Sequence, residues 1–226
     1  MAVRGRPRRV KGGEVLAAAL DTFREKGFAG TRMEDIAVRA GVSKGTLYLY
    51  YPSKEAVFEA LVRENLLPSL AVAEATVAAS MDRPADIQLM ALLLILQDVL
   101  ADPRRIAIPR LVLAEAGNFP DLARFYRTTV VERGLGLVGG ILRRGVERGE
   151  LRPLDPDQTA RLFMAPVLMA AVWQTTFAPV EEEQERFDPA VFLRHHADLF
   201  LRAIRAPRPA SPPSGQPAGQ SGGAKP

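Results

Sequence analysis

The sequence predicts an all-α protein, an N-terminal three-helix unit followed by a larger helical body, and three observations predict it. Apolar residues, mainly Ala, Leu and Val, recur at spacings of three and four along almost the whole chain. Prolines 84, 103, 120, 156 and 189 each stand near the start of such a stretch, where a missing N–H costs nothing. No convincing strand pattern and no internal repeat interrupts the helical periodicity.

Taken in order, Leu16, Ala19, Leu20 and Phe23 follow i, i+3, i+4, i+7 and predict a first amphipathic helix. It is expected to stop at Gly27, which can take the left-handed conformation. Thr31-Arg32-Met33-Glu34 has the pattern of a capping box, with Thr31 as cap and Glu34 reaching back to it. Met33, Ile36, Ala37 and Ala40 form the inner face of a short second helix that Gly41 closes. Ser43 is the expected cap of a third short helix, 44–50, with Leu47 turned inward. Pro52 and Ser53 end it and start a fourth, read as running from 54 to 80 with Pro68 as its one breaker. Such a helix is about 40 Å long, enough to join the first unit mechanically to the body.

Further helices are predicted at 84–101, 104–116, 120–149, 156–178 and 189–205. Pro109 and Pro166 fall inside two of them and are expected to kink them. Gly134, Gly136, Gly139, Gly140 and Gly145 mark a break or a close approach in the 120–149 helix. Residues 206–226, rich in Pro, Gly, Ser and Ala, have almost nothing to bury and predict a disordered tail.

The net charge of +4 is unevenly placed. Residues 1–56 hold 11 Lys and Arg against 6 Asp and Glu, whereas the remainder holds 19 against 20. A basic module on a neutral body points to one part that meets a polyanion and one that does something else. Cysteine is absent, which excludes disulfides, thiolate metal sites and cysteine nucleophiles and fits a reducing cytoplasm. The longest apolar run, Leu89 to Leu96, is eight residues, short of the roughly 20 that a membrane span takes. Neither a nucleophile elbow, nor a phosphate-binding glycine loop, nor a metal-ligand spacing is found, so no enzyme, cofactor or metal site is expected.

The informative stretch is 31–54, TRMEDIAVRAGVSKGTLYLYYPSK. Two short helices with a glycine in the tight connection make a helix-turn-helix pattern. Ala37 is small where the helices cross, while Ile36, Val42 and Leu47 lock the pair from within. Lys44, Thr46 and Tyr48 are then free to face outward, and Gly45 lets the backbone approach a duplex closely. This segment closely resembles the DNA-binding domain of TetR-family regulators over residues 10–60, most specifically in GVSKGTLYLYYPSK at 41–54. AEAGNFPDLARFYR at 114–127 and ERGELRPLDPDQTARLF at 147–163 also resemble the C-terminal domain of that family, more loosely.

The resemblance implies a homodimer formed by the last two helices, with a ligand cavity between the fourth and eighth. It implies a repressor of operator DNA released by a small apolar molecule. The expected parts are a basic arm 1–9, a helix-turn-helix domain 10–56, a ligand-binding and dimerisation domain 57–205 and the tail. Thr31, Tyr48, Tyr50 and Lys54 match positions that hold phosphates, Lys44, Gly45 and Thr46 match positions that approach bases, and Arg32 joins the same DNA-binding set. Leu49 stands where the family often has a second Tyr, which removes one phosphate contact. The arm residues Arg4, Arg6, Arg8, Arg9 and Lys11 fit either minor-groove contact or a floating charged tail.

Candidate ligand contacts are Leu92, Leu96, Leu111, Phe125 and Tyr126, with Phe163, Met169, Trp173 and Phe177 on the 156–178 helix. That second set serves equally as core or dimer contact. His195 and His196 adjoin on one helix and cannot alone make a metal site, so packing is the expected role. Glu181, Glu182, Glu183 and Glu185 are expected to form a solvated acidic loop.

Overall fold

The computed structural model describes residues 12–183 and 186–207, and the arm 1–9, Glu185 and most of the tail lie outside the described residues. Every regular element among the described residues is a helix, as the periodicity predicts. Helices α1 (Gly12–Gly30), α2 (Met33–Arg39), α3 (Lys44–Tyr50) and α4 (Lys54–Asn65) form the first unit. The body follows with α5 (Leu67–Ala79), α6 (Ala85–Leu100), α7 (Pro103–Glu115), α8 (Pro120–Tyr126), α9 (Glu132–Glu147), α10 (Pro156–Thr176) and α11 (Pro189–Ile204). Prolines 103, 120, 156 and 189 occupy first-turn positions and Pro84 the cap of α6. Asp102, Asp155 and Asp188 add side-chain caps by accepting from free N–H groups of the first turn.

Two predicted helices are divided. The fourth does not run to residue 80: α4 stops at Asn65, and Leu66, with φ −109° and ψ −36°, joins it to α5. Pro68 sits in the first turn of α5, where it lacks the N–H that would continue the α4 ladder. No 40 Å rod therefore connects the two units. The predicted 120–149 helix becomes α8, a five-residue π-helical turn at Arg127–Val131, and α9. Its glycines are not the cause of that break, because they lie beyond it. Gly145 instead marks a close approach: a Cβ there would stand 2.8 Å from Ala85 Cβ and 2.6 Å from Leu151 Cδ1.

Buried side chains gather in two clusters. One is the core of the body, with Leu89, Leu92, Ile141, Leu142 and Phe163 among its members. Phe163 packs edge-on to Phe200, and its carbonyl lies 3.0 Å from His196 Nε2, so His196 is a packing residue as expected. Burial pushes the His196 pKa below its ordinary value. The other cluster unites α1–α4 with Ala107, Ile108, Leu111, Val112 and Leu122 of α7 and α8. A single isolated bridge, Leu151 to Arg205, ties the α9–α10 connection to the end of α11.

The helix Pro156–Val180 is longer and more apolar than the run-length reading allowed, with 25 residues, a mean hydropathy of 1.3 and 22% of its apolar window buried. By length and composition it is sufficient to cross a membrane. Pro166 and interspersed polar residues break its apolar runs without lowering the average.

Gly145→Ala is expected to lower stability by about 1–3 kcal/mol, because Ala85 Cβ belongs to a helix that cannot yield as a flexible side chain would. Urea unfolding of the two proteins measures this, and an unchanged midpoint would contradict the close approach.

Candidate nucleic-acid interface

The positions of α2 and α3 follow from how the chain leaves α1. Gly27 has φ +72°, a conformation that only glycine takes without strain, and one further helical turn follows it. Thr31 is 2% exposed, and its hydroxyl donates to Gly27 O at 2.7 Å. It is therefore not the cap of α2. Arg32 holds that position, with its N–H donating to Asp35 Oδ2 at 3.0 Å, so the capping pair is shifted by one residue from the predicted one. Glu34, freed from capping, pairs with Lys44 across the turn. The hydrogen bond between them holds the Glu34 carboxyl below the usual carboxylate range and the Lys44 ammonium above its own.

The turn between α2 and α3 uses Gly41 at φ +65°. Ser43 caps α3 as predicted, its Oγ accepting from Thr46 N at 3.0 Å. Leu47 is fully buried beside Ile36 and Ala37, which fixes the roll of the seven-residue helix. Lys44, Gly45, Tyr48 and Tyr50 consequently face solvent on one unit of the protein, as the sequence implied. Thr46 is half-buried, its hydroxyl 2.7 Å from that of Ser43. Lys44 also lies over the Tyr48 ring, 5.7 Å from its centroid. An exposed cation held only by an exposed carboxylate and a ring face is readily exchanged for another acceptor.

Lys54, expected to hold a phosphate, has partners within the protein. Its ammonium donates to Phe28 O at 2.8 Å, Ala29 O at 3.3 Å and Thr31 O at 3.5 Å, and lies over the rings of Phe28 and Phe119. Thr31 and Lys54 thus shape the α1–α2 turn. The residue that sequence reasoning undervalued is Leu49, 81% exposed on the same helix as Lys44 and Tyr48. An exposed Leu on a helix that presents a polar row is suited to the apolar C5-methyl of thymine. Its signal lay in the motif, where an aliphatic residue replaces the usual ring.

The candidate ligand residues do not converge. Leu92, Leu96 and Phe163 belong to the body core, while Leu111, Phe125 and Tyr126 belong to the cluster shared with α1–α4. Burial raises the Tyr126 phenol to about 12. Met169, Trp173 and Phe177 stand on the outer face of α10, each more than a third exposed. Two clefts lie open at the surface. One, about 190 Å³, lies between Pro84 and Arg205; the other, about 360 Å³, between Glu25 and Val38. None of the candidate residues lines either. No group of three or more metal-ligating side chains occurs among the described residues.

Residues 15–61 match the family model described as bacterial regulatory proteins, tetR family, and residues 87–205 match that of an AefR-like transcriptional repressor C-terminal domain. The chain is 58% identical over 52 residues to the HTH-type transcriptional regulator RutR of Escherichia coli, a match that covers 23% of this chain and 24% of that protein. It is 32% identical over 167 residues to the uncharacterized HTH-type transcriptional regulator YdeS of Bacillus subtilis, covering 73% of this chain and 80% of YdeS. Its fold matches the transcriptional regulator FadR from Bacillus subtilis, solved in complex with stearoyl-CoA, with a TM-score of 0.63 at 19% identity, over 86% of this chain and 100% of that one.

Two lysines separate shape from contact. Lys54→Met is expected to cost about 1–3 kcal/mol of stability, as three carbonyls lose a charged donor, while Lys44→Met leaves stability nearly unchanged. Thermal unfolding of both variants checks this, and equal midpoints would contradict the assignment.

Proposed function

Because the chain belongs to the tetR family of bacterial regulatory proteins, a class of DNA-binding transcriptional regulators, we propose that it is a homodimeric repressor released from a palindromic operator by a mainly apolar small molecule. The observation that carries this reading is α3: a capped helix pinned by Leu47 that presents Lys44, Gly45, Tyr48 and Leu49 in one outward row. A recognition helix needs that combination of rigidity behind and exposure in front. Lys44, Gly45 and Thr46 approach base edges, Leu49 a methyl group, and Arg32, Tyr48 and Tyr50 the phosphates. Residues 10–56 meet the DNA, and 57–205 meet the partner and the effector.

The dimer contact is assigned to α10 and α11. Leu162, Met169, Trp173 and Phe177 are exposed at helical spacing on α10, and Val191 and Leu199 on the adjacent α11. A helix that is apolar on its inner and outer faces alike is one that is covered on both. A second copy of the same face, related by a two-fold axis, supplies that cover symmetrically. Two copies then set their α3 helices about 34 Å apart, one turn of the duplex. The effector is assigned to a space that opens among α6, α7, α8 and α10, between Leu92 and Leu96 of the body core and Leu111, Phe125 and Tyr126 of the cluster shared with α1–α4. Their apolar character favours a lipophilic molecule, the kind of ligand bound in the FadR structure.

In gel shifts with genomic fragments, the protein is expected to select a palindromic site, and Lys44→Ala with Tyr48→Ala to weaken that binding by about 10- to 100-fold in a folded protein. Undiminished selectivity in the double variant would overturn the reading of α3. Sedimentation gives the second check: Leu199→Glu is expected to yield monomers, and a wild-type monomer at micromolar concentration would remove the dimer.

A further inference from the structure

The two apolar clusters do not divide where the helix-turn-helix motif ends. The α1–α4 cluster includes Leu66 and then resumes at Ala107, Ile108, Leu111, Val112 and Leu122, with Phe119 and Val130 packed against it. The body cluster holds Ala73, Ile106, Leu135 and Val138 on the other sides of those boundaries. The chain passes from one core to the other between Leu66 and Ala73, between Ile106 and Ala107, and between Val130 and Leu135, and Val99 near the end of α6 also touches the α1–α4 cluster. Each crossing carries a defect in helical hydrogen bonding. Pro68 lies in the first, Pro109 stands two residues past the second, and the π-helical turn Arg127–Val131 leads into the third. Packed cores resist deformation, so bending concentrates where the ladder is interrupted between them.

One buried carboxylate ties the shared segment to the first unit. Glu115, the last residue of α7, is 8% exposed. It accepts from Phe28 N at 2.8 Å and Ala29 N at 3.3 Å, across 87 and 86 residues of sequence. Its own carbonyl accepts from Asn118 N and Phe119 N and so closes the α7–α8 turn. Phe119 then lies edge-on to Phe28, with ring centroids 4.9 Å apart. A carboxylate at a helix C-terminus opposes the helix dipole and persists where stronger donors hold it.

We propose that the unit that turns in this protein is residues 12–66 together with 107–131, hinged at Pro68, Pro109 and the 127–131 π-turn, and that Glu115 is the positioning residue that makes the two segments one body. The surface along which this body moves is the contact of α7 with α10. The inference rests on the switch reading for its biological consequence, but its test does not.

Native-state hydrogen exchange of the full chain in low urea decides it, since segments that belong to one cooperative unit open together. Amides of 107–131 are expected to open in step with those of 12–66. Opening in step with 85–106 and 138–204 instead would overturn the proposal. Glu115→Ala is expected to speed exchange at Phe28, Ala29 and α8 by roughly 10- to 100-fold with α9–α11 unchanged, whereas Glu115→Gln, which keeps an acceptor, stays near wild type. Acceleration spread equally over α9–α11 would make Glu115 a general stability residue and end its positioning role. Should Glu115→Ala fail to fold, the wild-type exchange pattern and Glu115→Gln still decide. On a duplex selected by the wild type, Glu115→Ala is expected to bind more weakly with an unchanged salt slope, as no phosphate contact is removed; a changed slope would contradict positioning. A wild type that selects no duplex would refute the regulator and leave the exchange result standing.

Discussion

The backbone turn Gly27–Thr31 is the constraint on which the orientation of the N-terminal unit depends. Once Gly27 leaves the α1 helix at positive φ, the amides of Phe28 and Ala29 point one way and the carbonyls of Phe28, Ala29 and Thr31 another. Buried backbone groups of both kinds require partners. The chain meets the first need with a carboxylate from α7 and the second with an ammonium from α4. Phe28 packs edge-on to Phe58 and to Phe119 beside the turn, whose Ala29 and Gly30 remain exposed. Since α2 begins at once after Thr31, and α3 is locked to α2 through Leu47 and Ile36, those two charged side chains help fix the direction of the recognition helix together with the α1–α4 core. Neither of them touches α3.

Much of this architecture was legible in the sequence because it is specified locally. Prolines at first-turn positions, Ser43 before α3 and the inward Leu47 act within four residues of themselves, and each stands where its spacing predicts. What was not legible is specified at long range. Thr31-x-x-Glu34 and Arg32-x-x-Asp35 are competing caps offset by one residue, and the choice is made by Gly27, whose carbonyl takes the Thr31 hydroxyl. Lys54 looks like any charge at the start of a helix until the turn 23–26 residues before it folds back. The π-turn at Arg127–Val131 contains neither Gly nor Pro, so no composition signal marks it. For Glu115 one signal existed: an acidic residue at a helix C-terminus is unfavourable unless something donates to it.

The same distinction governs α10. Periodicity identifies apolar positions but not the surface that each one meets. Phe163, Val167 and Ala170 turn into the body, while Leu162, Met169 and Trp173 turn away from it, and the sequence pattern of the two sets is alike. Trp173 is further occupied by Glu181, which accepts from its indole N–H and from Phe187 N at 2.9 Å, so the acidic loop has a structural task at its first residue. The candidate ligand residues are therefore spread over a core, a shared cluster and an outer face. The outer face is the part assigned to a second chain under the proposed dimer.

A body whose α6, α7 and α10 are packed into apolar clusters poses an energetic question for the proposed effector-driven switch, and the two-core arrangement answers it. An effector that enters among α6, α7, α8 and α10 has to part α7 from α10, at the cost of apolar contact already made there. A ligand moves the equilibrium only by the difference between its affinities for the closed and parted states. If α7 yielded on its own, that difference would be spent within the body and the DNA-binding unit would be unaffected. With Glu115 and Phe119 holding α7 and α8 to the Gly27–Thr31 turn, α7 cannot leave α10 without carrying α1–α4 along. On the proposed reading, the strength of the switch is bounded by the weaker of two contacts, the hold of Glu115 on the turn and the hold of α10 on the proposed partner chain, because release of either lets the motion dissipate before it reaches α3.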